Sequence, residues 1–374
     1  MNHSKIYLSA PDIGEEERKL VFETLDSGWL APAGPQIDLF ETSLQDYLGA
    51  NYVLAVNSGT SAIHLGLRAL GVKEGDYVLC PTFAFCAVVN PILYEKAIPV
   101  LIDCERDTWG IDPSLLEESI KDLKAQHIRP KAIILVHSYG SPGQLDEVLR
   151  IAGTYEIPIL EDAAEAFGSN YNGRLLGNCG DIGILSFNGN KIVTTGGGGA
   201  LILKTEDMHK KALKWATQSK DEKPYYHHSE LGFNYRMSSV AAAIGQGQLE
   251  QLGNKIKKKK TIFDYYQSRL NHTGVEFFRP YEGSNFWMTC VKVNSTMVGC
   301  TNLDIYYHLI KNGIESRLVW QPLHNQPLYN SYPKKLSGVA EELFKQGLCL
   351  PSGTGLSELE LDRVIETIIE RITL

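Results

Sequence analysis

Ser186 and Lys191 stand five residues apart, at and just beyond the end of an apolar run over residues 182–187, and four glycines follow at 196–199. A lysine attacks only as the neutral amine, so its charge must be drawn from water and opposed by neighbours. Glycines beyond it let backbone approach a flat ligand or a neighbouring strand closely. The same placement recurs twice: Asp162 follows the apolar run 157–160, and Asn57-Ser58-Gly59-Thr60-Ser61-Ala62 follows the run 53–56 and opens a helix. Free N–H groups at a helix start, with the hydroxyls of Ser58, Thr60 and Ser61, can face a phosphate. Each such hydrogen bond is worth ~1.5–3 kcal/mol. The turn would serve equally well as an ordinary Ser/Thr cap.

Together these residues could supply the four parts of a pyridoxal phosphate (PLP) site. Lys191 would hold the cofactor as a Schiff base and move protons, and Asp162 would pair with the pyridine nitrogen so that the ring accepts electrons. Phe85 would cover one ring face, and the turn 58–62 with Ser186 would take the phosphate. Asp162 ends a buried strand, so it also needs a cationic partner; alone it would read as a helix-capping acid. Other chemistries lack their frames. The glycines at 196–199 do not complete GxGxxG, residues 189–191 do not complete a P-loop, and no GxSxG is present. His227-His228 lacks metal-ligand spacing, so no metal is expected. The lysines at 255 and 257–260 read as a solvated helix face.

The elements that must carry these groups alternate. Strands are expected at 53–56, 77–80, 98–102, 132–136, 157–160, 182–187 and 201–203. Helices are expected at 13–25, 37–48, 63–70, 85–94, 113–123, 145–155 and 208–217, with one long helix over 239–270. That order predicts an α/β fold, with a mostly parallel sheet covered by helices on both faces. Ligands in such sheets bind at the carboxyl ends of strands, where the turn 58–62, Asp103, His137, Asp162 and Ser186 all fall. A boundary near Leu249 separates a large domain, 1–249, from a smaller C-terminal α/β domain, 250–374. The latter carries a strand at 287–293 and helices at 303–311, 340–346 and 357–372.

The 374 residues, 43% hydrophobic and 21% charged, are ordinary for a globular chain. A net charge of -8 argues against a nucleic-acid-binding surface spread over the protein. No run approaches the ~18 apolar residues of a bilayer-spanning helix, and the start, MNHSKIYLSAPDIGEEE, lacks a basic-then-apolar leader. Seven cysteines without a CxxC pair fit reduced thiols. The expectation is a cytoplasmic enzyme.

Six motifs in order carry a resemblance over essentially the whole chain. They are Gly28-Trp29-Leu30, Asn57 to Ala62, Glu161-Asp162-Ala163-Ala164, Ser186-Phe187 with Lys191 and Thr194-Thr195-Gly196, Gly232 to Met237, and Arg317 with Trp320, Pro322, Leu323 and His324. The chain resembles the DegT/DnrJ/EryC1/StrS family of PLP-dependent nucleotide-sugar aminotransferases, which implies PLP fold type I, the aspartate aminotransferase-like architecture. The resemblance makes Lys191 the Schiff-base lysine and Asp162 the pyridine partner. It puts Phe85 on the ring, Thr60, Ser61 or Ala62 with Ser186 on the phosphate, and Asn234 there from a second subunit, hence a homodimer with a shared active site. Leu30, Ala31, Asn190, Arg317, Trp320 and His324 become candidate substrate contacts.

Two departures narrow the likeness. Glu165 stands where many relatives have His or Gln, beside the cofactor, and Gly197 replaces the glutamate of a TTGEGG pattern. With Asn188 to Lys191 and Ala31 to Gly34, these resemble the C4-aminotransferases of bacillosamine biosynthesis. The implied reaction moves the amino group of L-glutamate to C4 of UDP-2-acetamido-4-keto-2,6-dideoxyglucose, with pyridoxamine phosphate as intermediate. A GDP-perosamine synthase-like or nonulosonic-acid-pathway C4-aminotransferase is the alternative. A sugar dehydratase on the same fold would have histidine in place of Lys191, and a non-catalytic PLP-fold protein would not need the Lys191/Asp162 pair.

Overall fold

The computed structural model describes residues 5–373; residues 1–4, where the segment read for a leader begins, lie outside them. Its centre is an eight-stranded sheet in the order Tyr52–Val56, Gly199–Leu203, Ile182–Ser186, Ile159–Asp162, Ala132–Val136, Tyr77–Pro81, Ile98–Ile102, Lys334–Lys335. Only Gly199–Leu203 runs against the others. The strands are short apolar runs because both faces are covered. Ile133 and Leu135 enter one hydrophobic cluster, and Ala132, Ile134 and Val136 enter the other. The register sets Val136 beside Asp162, and Gly199 beside both Ser186 and Val56. Four carboxyl ends, with the amino end of Gly199–Leu203 among them, therefore meet along one side of the sheet.

A second sheet, antiparallel throughout, has the order Val275–Phe277, Thr289–Val293, Gly347–Leu350, Arg317–Leu318. It packs with the helices Leu252–Leu270, Asn302–Lys311 and Glu358–Thr373 around its own cluster. The two sheets are not separated cleanly at Leu249. Lys334 and Lys335 pair in parallel with Leu101 and Ile102, and Ile6 bridges Ile314. No helix among the described residues is long and apolar enough to cross a membrane.

Two expected helices are broken. Residues 85–94 form a turn of 3-10 helix, Cys86–Val88, and a short helix, Asn90–Tyr94. Pro91 has no N–H, and its ring would clash with the carbonyl four residues back in a continuous helix. The long helix divides at Gln251 into Ser239–Glu250 and Leu252–Leu270. The lysine run in its second half is not a solvated face throughout, since Lys255 and Lys259 are buried. Lys255 Nζ donates to Asp12 O and to Gln248 Oε1, at 3.0 and 2.6 Å. The strand expected from residue 287 begins at Thr289, leaving Trp287 just before it.

Candidate active site

The carboxyl ends of Tyr52–Val56, Ile159–Asp162 and Ile182–Ser186 open on a cavity of about 340 Å³. Lys191, Asp162, Glu165, Ser186, Thr60 and Phe85 line it, with Asn190, Arg317 and Trp320. Lys191 leaves the strand Ile182–Ser186 on a bent loop, its side chain only 13% exposed. Its Nζ lies 3.6 Å from Glu165 Oε1 and 4.2 Å from the centre of the Trp287 ring. Glu165 Oε2 accepts the backbone N–H of Tyr139 at 2.8 Å. Tyr139 takes a left-handed φ of 54°. Burial pushes the Glu165 carboxyl upward, opposed by Lys191 and the Tyr139 amide and aided by Asp162.

Asp162 is buried, and its Oδ1 accepts the N–H of Ala164 at 3.0 Å. Among the described residues it makes no ion pair; Lys191 pairs with Glu165 instead. Burial therefore raises its pKa, with the Ala164 amide and then Lys191 pulling the other way. The cationic partner required of Asp162 is not a protein side chain in direct contact. A protonated pyridine nitrogen would fill that role, which is the test that PLP passes here. Asn190 Oδ1, also buried and without a partner, adds a second unmet group at the cavity wall.

Ser58 caps the helix Gly59–Ala69 by accepting the N–H of Ser61 at 3.0 Å. Ser61 Oγ donates to Asn57 Oδ1 at 2.7 Å, and Ala62 N donates to Ser58 O at 3.1 Å, so both are engaged within the turn and neither lines the cavity. Gly59 and Thr60 do line it, as first-turn residues whose N–H groups have no acceptor inside the helix. Ser58 lines it too, so the capping and anion-facing readings of this turn overlap at the helix head. Two glycines of the run have a steric reason here, and a Cβ on the first, Gly198, would press on Thr195 Oγ1 and come within 2.7 Å of Met237 Cε. A Cβ on Gly199 would come within 2.6 Å of Gly59 N, whereas one on Gly197 would meet nothing nearer than 3.9 Å.

Phe85 is 53% exposed at the rim, its ring 5.4 Å from that of Trp320. Arg317 reaches the same rim while 3.7 Å from Glu315. Other expected residues lie elsewhere. Leu30, Ala31 and Asn234 are exposed outside the cavity of this chain. His324 is buried, with Nδ1 2.7 Å from Thr82 Oγ1 and Nε2 3.2 Å from Glu341. Asp103 and His137 also fall outside the cavity, although both end strands. Asp103 accepts the N–H groups of Ser337, Gly338 and Ala340 and so caps the helix Val339–Gln346. His137 Nε2 pairs with Glu161 at 2.8 Å on the opposite face of the sheet. Trp287 and Tyr139, which touch Lys191 and Glu165, carry no local signal beyond an aromatic beside an apolar run. A more open cavity of about 550 Å³ near His64, Arg68 and Tyr235 has its main charges paired already, since both His64 and Arg68 contact Glu95.

A half-buried lysine, an unpaired buried carboxylate and a helix N-terminus at the strand ends of an α/β sheet define a PLP-enzyme pocket. The model of the DegT/DnrJ/EryC1/StrS aminotransferase family matches residues 11–369, and the chain belongs to that family. It is 44% identical to the putative pyridoxal phosphate-dependent aminotransferase EpsN of Bacillus subtilis, over 98% of this chain and 96% of that one. It is 35% identical to the GDP-perosamine synthase of Caulobacter vibrioides, over 96% of each. Among solved structures, the PLP form of the putative sugar aminotransferase Spr1654 from Streptococcus pneumoniae superposes with a TM-score of 0.90. It is 27% identical, with 99% of each chain covered. The protein is a PLP-dependent aminotransferase with the corresponding α/β fold.

Proposed function

We propose that this chain transfers the amino group of L-glutamate to C4 of a nucleotide-linked 4-keto sugar, UDP-2-acetamido-4-keto-2,6-dideoxyglucose, as a cytoplasmic homodimer. The observation that carries the amino transfer is the meeting of Lys191 Nζ, Glu165 and Asp162 in one buried cavity at the head of the helix Gly59–Ala69. The nucleotide sugar is supported by relatives named for GDP-perosamine synthesis, and UDP by Glu165 and Gly197.

PLP, when bound, supplies an electrophilic carbonyl carbon and a ring that accepts electrons. Lys191 would hold the cofactor through Nζ, and the same nitrogen, when free, would accept and return a proton. Asp162 keeps a proton on the ring nitrogen by offering it a desolvated carboxylate. Thr60, Gly59 and Ser186 would receive the phosphate, and Phe85 and Trp320, at the rim, would cover the ring. Glu165 opposes the Lys191 charge at 3.6 Å and lines the same cavity. Asn234, exposed on its own chain, reaches the phosphate of a partner subunit.

Lys191→Ala is expected to abolish amino transfer and the visible absorbance of lysine-bound cofactor; a variant with wild-type turnover overturns the assignment. A second reading, a GDP-linked 4-keto sugar as acceptor, is favoured by the 34% and 35% identity to GDP-perosamine synthases. Incubation with UDP- and GDP-linked 4-keto sugars separately, with glutamate, decides between them. NMR of the product then gives the configuration at C4.

A further inference from the structure

Lys259 is buried in the helix Leu252–Leu270 with no carboxylate partner among the described residues. Its Nζ donates to two backbone carbonyls, Trp287 O at 2.9 Å and Ser352 O at 2.8 Å. These carbonyls sit beside the ends of adjacent strands, just before Thr289–Val293 and just after Gly347–Leu350. Ser352 Oγ also accepts the N–H of Thr289 at 3.0 Å, so the Lys259 amine clamps one paired end of the small sheet.

Both clamped ends lead to the same peptide. From the first, Trp287 Nε1 donates to Asn190 O at 2.8 Å, and the indole face lies under Lys191 Nζ at 4.2 Å. From the second, Ser352 N donates to Leu8 O, and the next residue, Ser9, donates its hydroxyl to Asn190 O at 3.2 Å. The Asn190 carbonyl belongs to the peptide immediately before Lys191. Trp287 is itself fixed on its other sides. Its N–H donates to Asn285 Oδ1 at 2.9 Å, and its ring stacks with Tyr139 at 6.1 Å, whose own N–H holds Glu165.

We infer that Trp287 is a positioning residue for Lys191: its indole N–H fixes the Asn190 carbonyl, its ring face seats the Lys191 ammonium opposite Glu165, and Lys259 holds Trp287 in place. This rests on Lys191 being the cofactor lysine and extends that reading to the small sheet, whose strand ends then govern where the amine points. An ammonium over an indole face is attracted by the ring quadrupole, more strongly where water is excluded. Removing the ring, or the donors to Asn190 O, frees the amine.

The apoprotein provides a readout independent of turnover. Amine labelling with formaldehyde and cyanoborohydride, mapped by mass spectrometry, reports the rate at Lys191 against that at the exposed Lys124. Trp287→Leu is expected to label at Lys191 roughly 3–10-fold faster than wild type. Trp287→Phe keeps a ring face but loses the N–H, and should fall between the two. Ser9→Ala removes the second donor to Asn190 O from a half-buried side chain, and should raise the rate roughly 2-fold without threatening the fold. Circular dichroism checks folding, and Ser9→Ala with Trp287→Phe decides the matter if Trp287→Leu does not fold. Wild-type labelling rates at Lys191 in the folded variants overturn the inference. Borohydride trapping of PLP in the wild-type holoprotein separates this failure from the other. Cofactor trapped on Lys191 leaves the functional reading standing, and cofactor on another lysine overturns both.

Discussion

Asp162 and Glu165 are two buried carboxyls lining the cavity with one lysine, and burial raises the pKa of both. A carboxyl with a raised folded pKa binds more protons in the folded than in the unfolded state, so stability falls as pH rises from its ordinary value to its raised one. The apoprotein should therefore lose stability across that window, and Asp162→Asn should lose less. At neutral pH we expect Asp162→Asn to stabilise the apoprotein by roughly 1–3 kcal/mol while weakening PLP binding and slowing turnover. Glu165→Gln should share the first effect with a smaller loss of activity. Thermal unfolding of the three apoproteins from pH 4 to 8, beside PLP titrations, checks both signs. A less stable Asp162→Asn apoprotein would contradict the reading that this carboxylate awaits a cation.

At the scale of elements, the site depends on how closely the turn at 57–59 approaches the strand Gly199–Leu203. Gly199→Ala would press a methyl against Gly59 N and Ser58. Overpacking of that kind costs roughly 1–3 kcal/mol, and here it should also displace the helix head and raise the dissociation constant for PLP. Gly197→Ala is the contrast. Space is open around it, so its stability and PLP affinity should stay near wild type. Denaturant melts and PLP titration of the pair measure the difference. Equal effects would mean that the glycine run serves flexibility rather than close approach.

Over the whole molecule, the small sheet is tied to the site through Lys259 and to the large sheet through Asp103. Burial brings the Lys259 ammonium down to about 7. Between that value and the usual lysine range the unfolded chain holds more protons than the folded one, so stability due to this group rises with pH. Wild type should gain on Lys259→Met as pH increases from 7 to 9, read as the difference between their thermal midpoints. A difference that does not change with pH would mean that Lys259 keeps its ordinary proton affinity. Asp103 ties the sheets differently, because three amides at the head of the helix Val339–Gln346 depend on its carboxylate.

The amino-acid sequence by itself determined the alternating strands and helices, the parallel sheet, and the placement of Ser186, Lys191, Asp162 and the turn 57–62 at strand ends. These are local matters, set by short apolar runs, by capping residues and by the polar group that follows each run. Tertiary structure alone decided which strand ends face one another. Asp103 and Asp162 both follow buried strands, yet one caps a helix from beyond residue 330 and the other lines the cavity. The same holds for Lys259, which reads as a surface lysine until two distant carbonyls close over it. Trp287 lies 97 positions from the peptide it holds. Such pairings depend on the register of the small sheet and on the path of the N-terminal segment across it. Those are properties of the packed chain, with no trace in the spacing of residues along any one element.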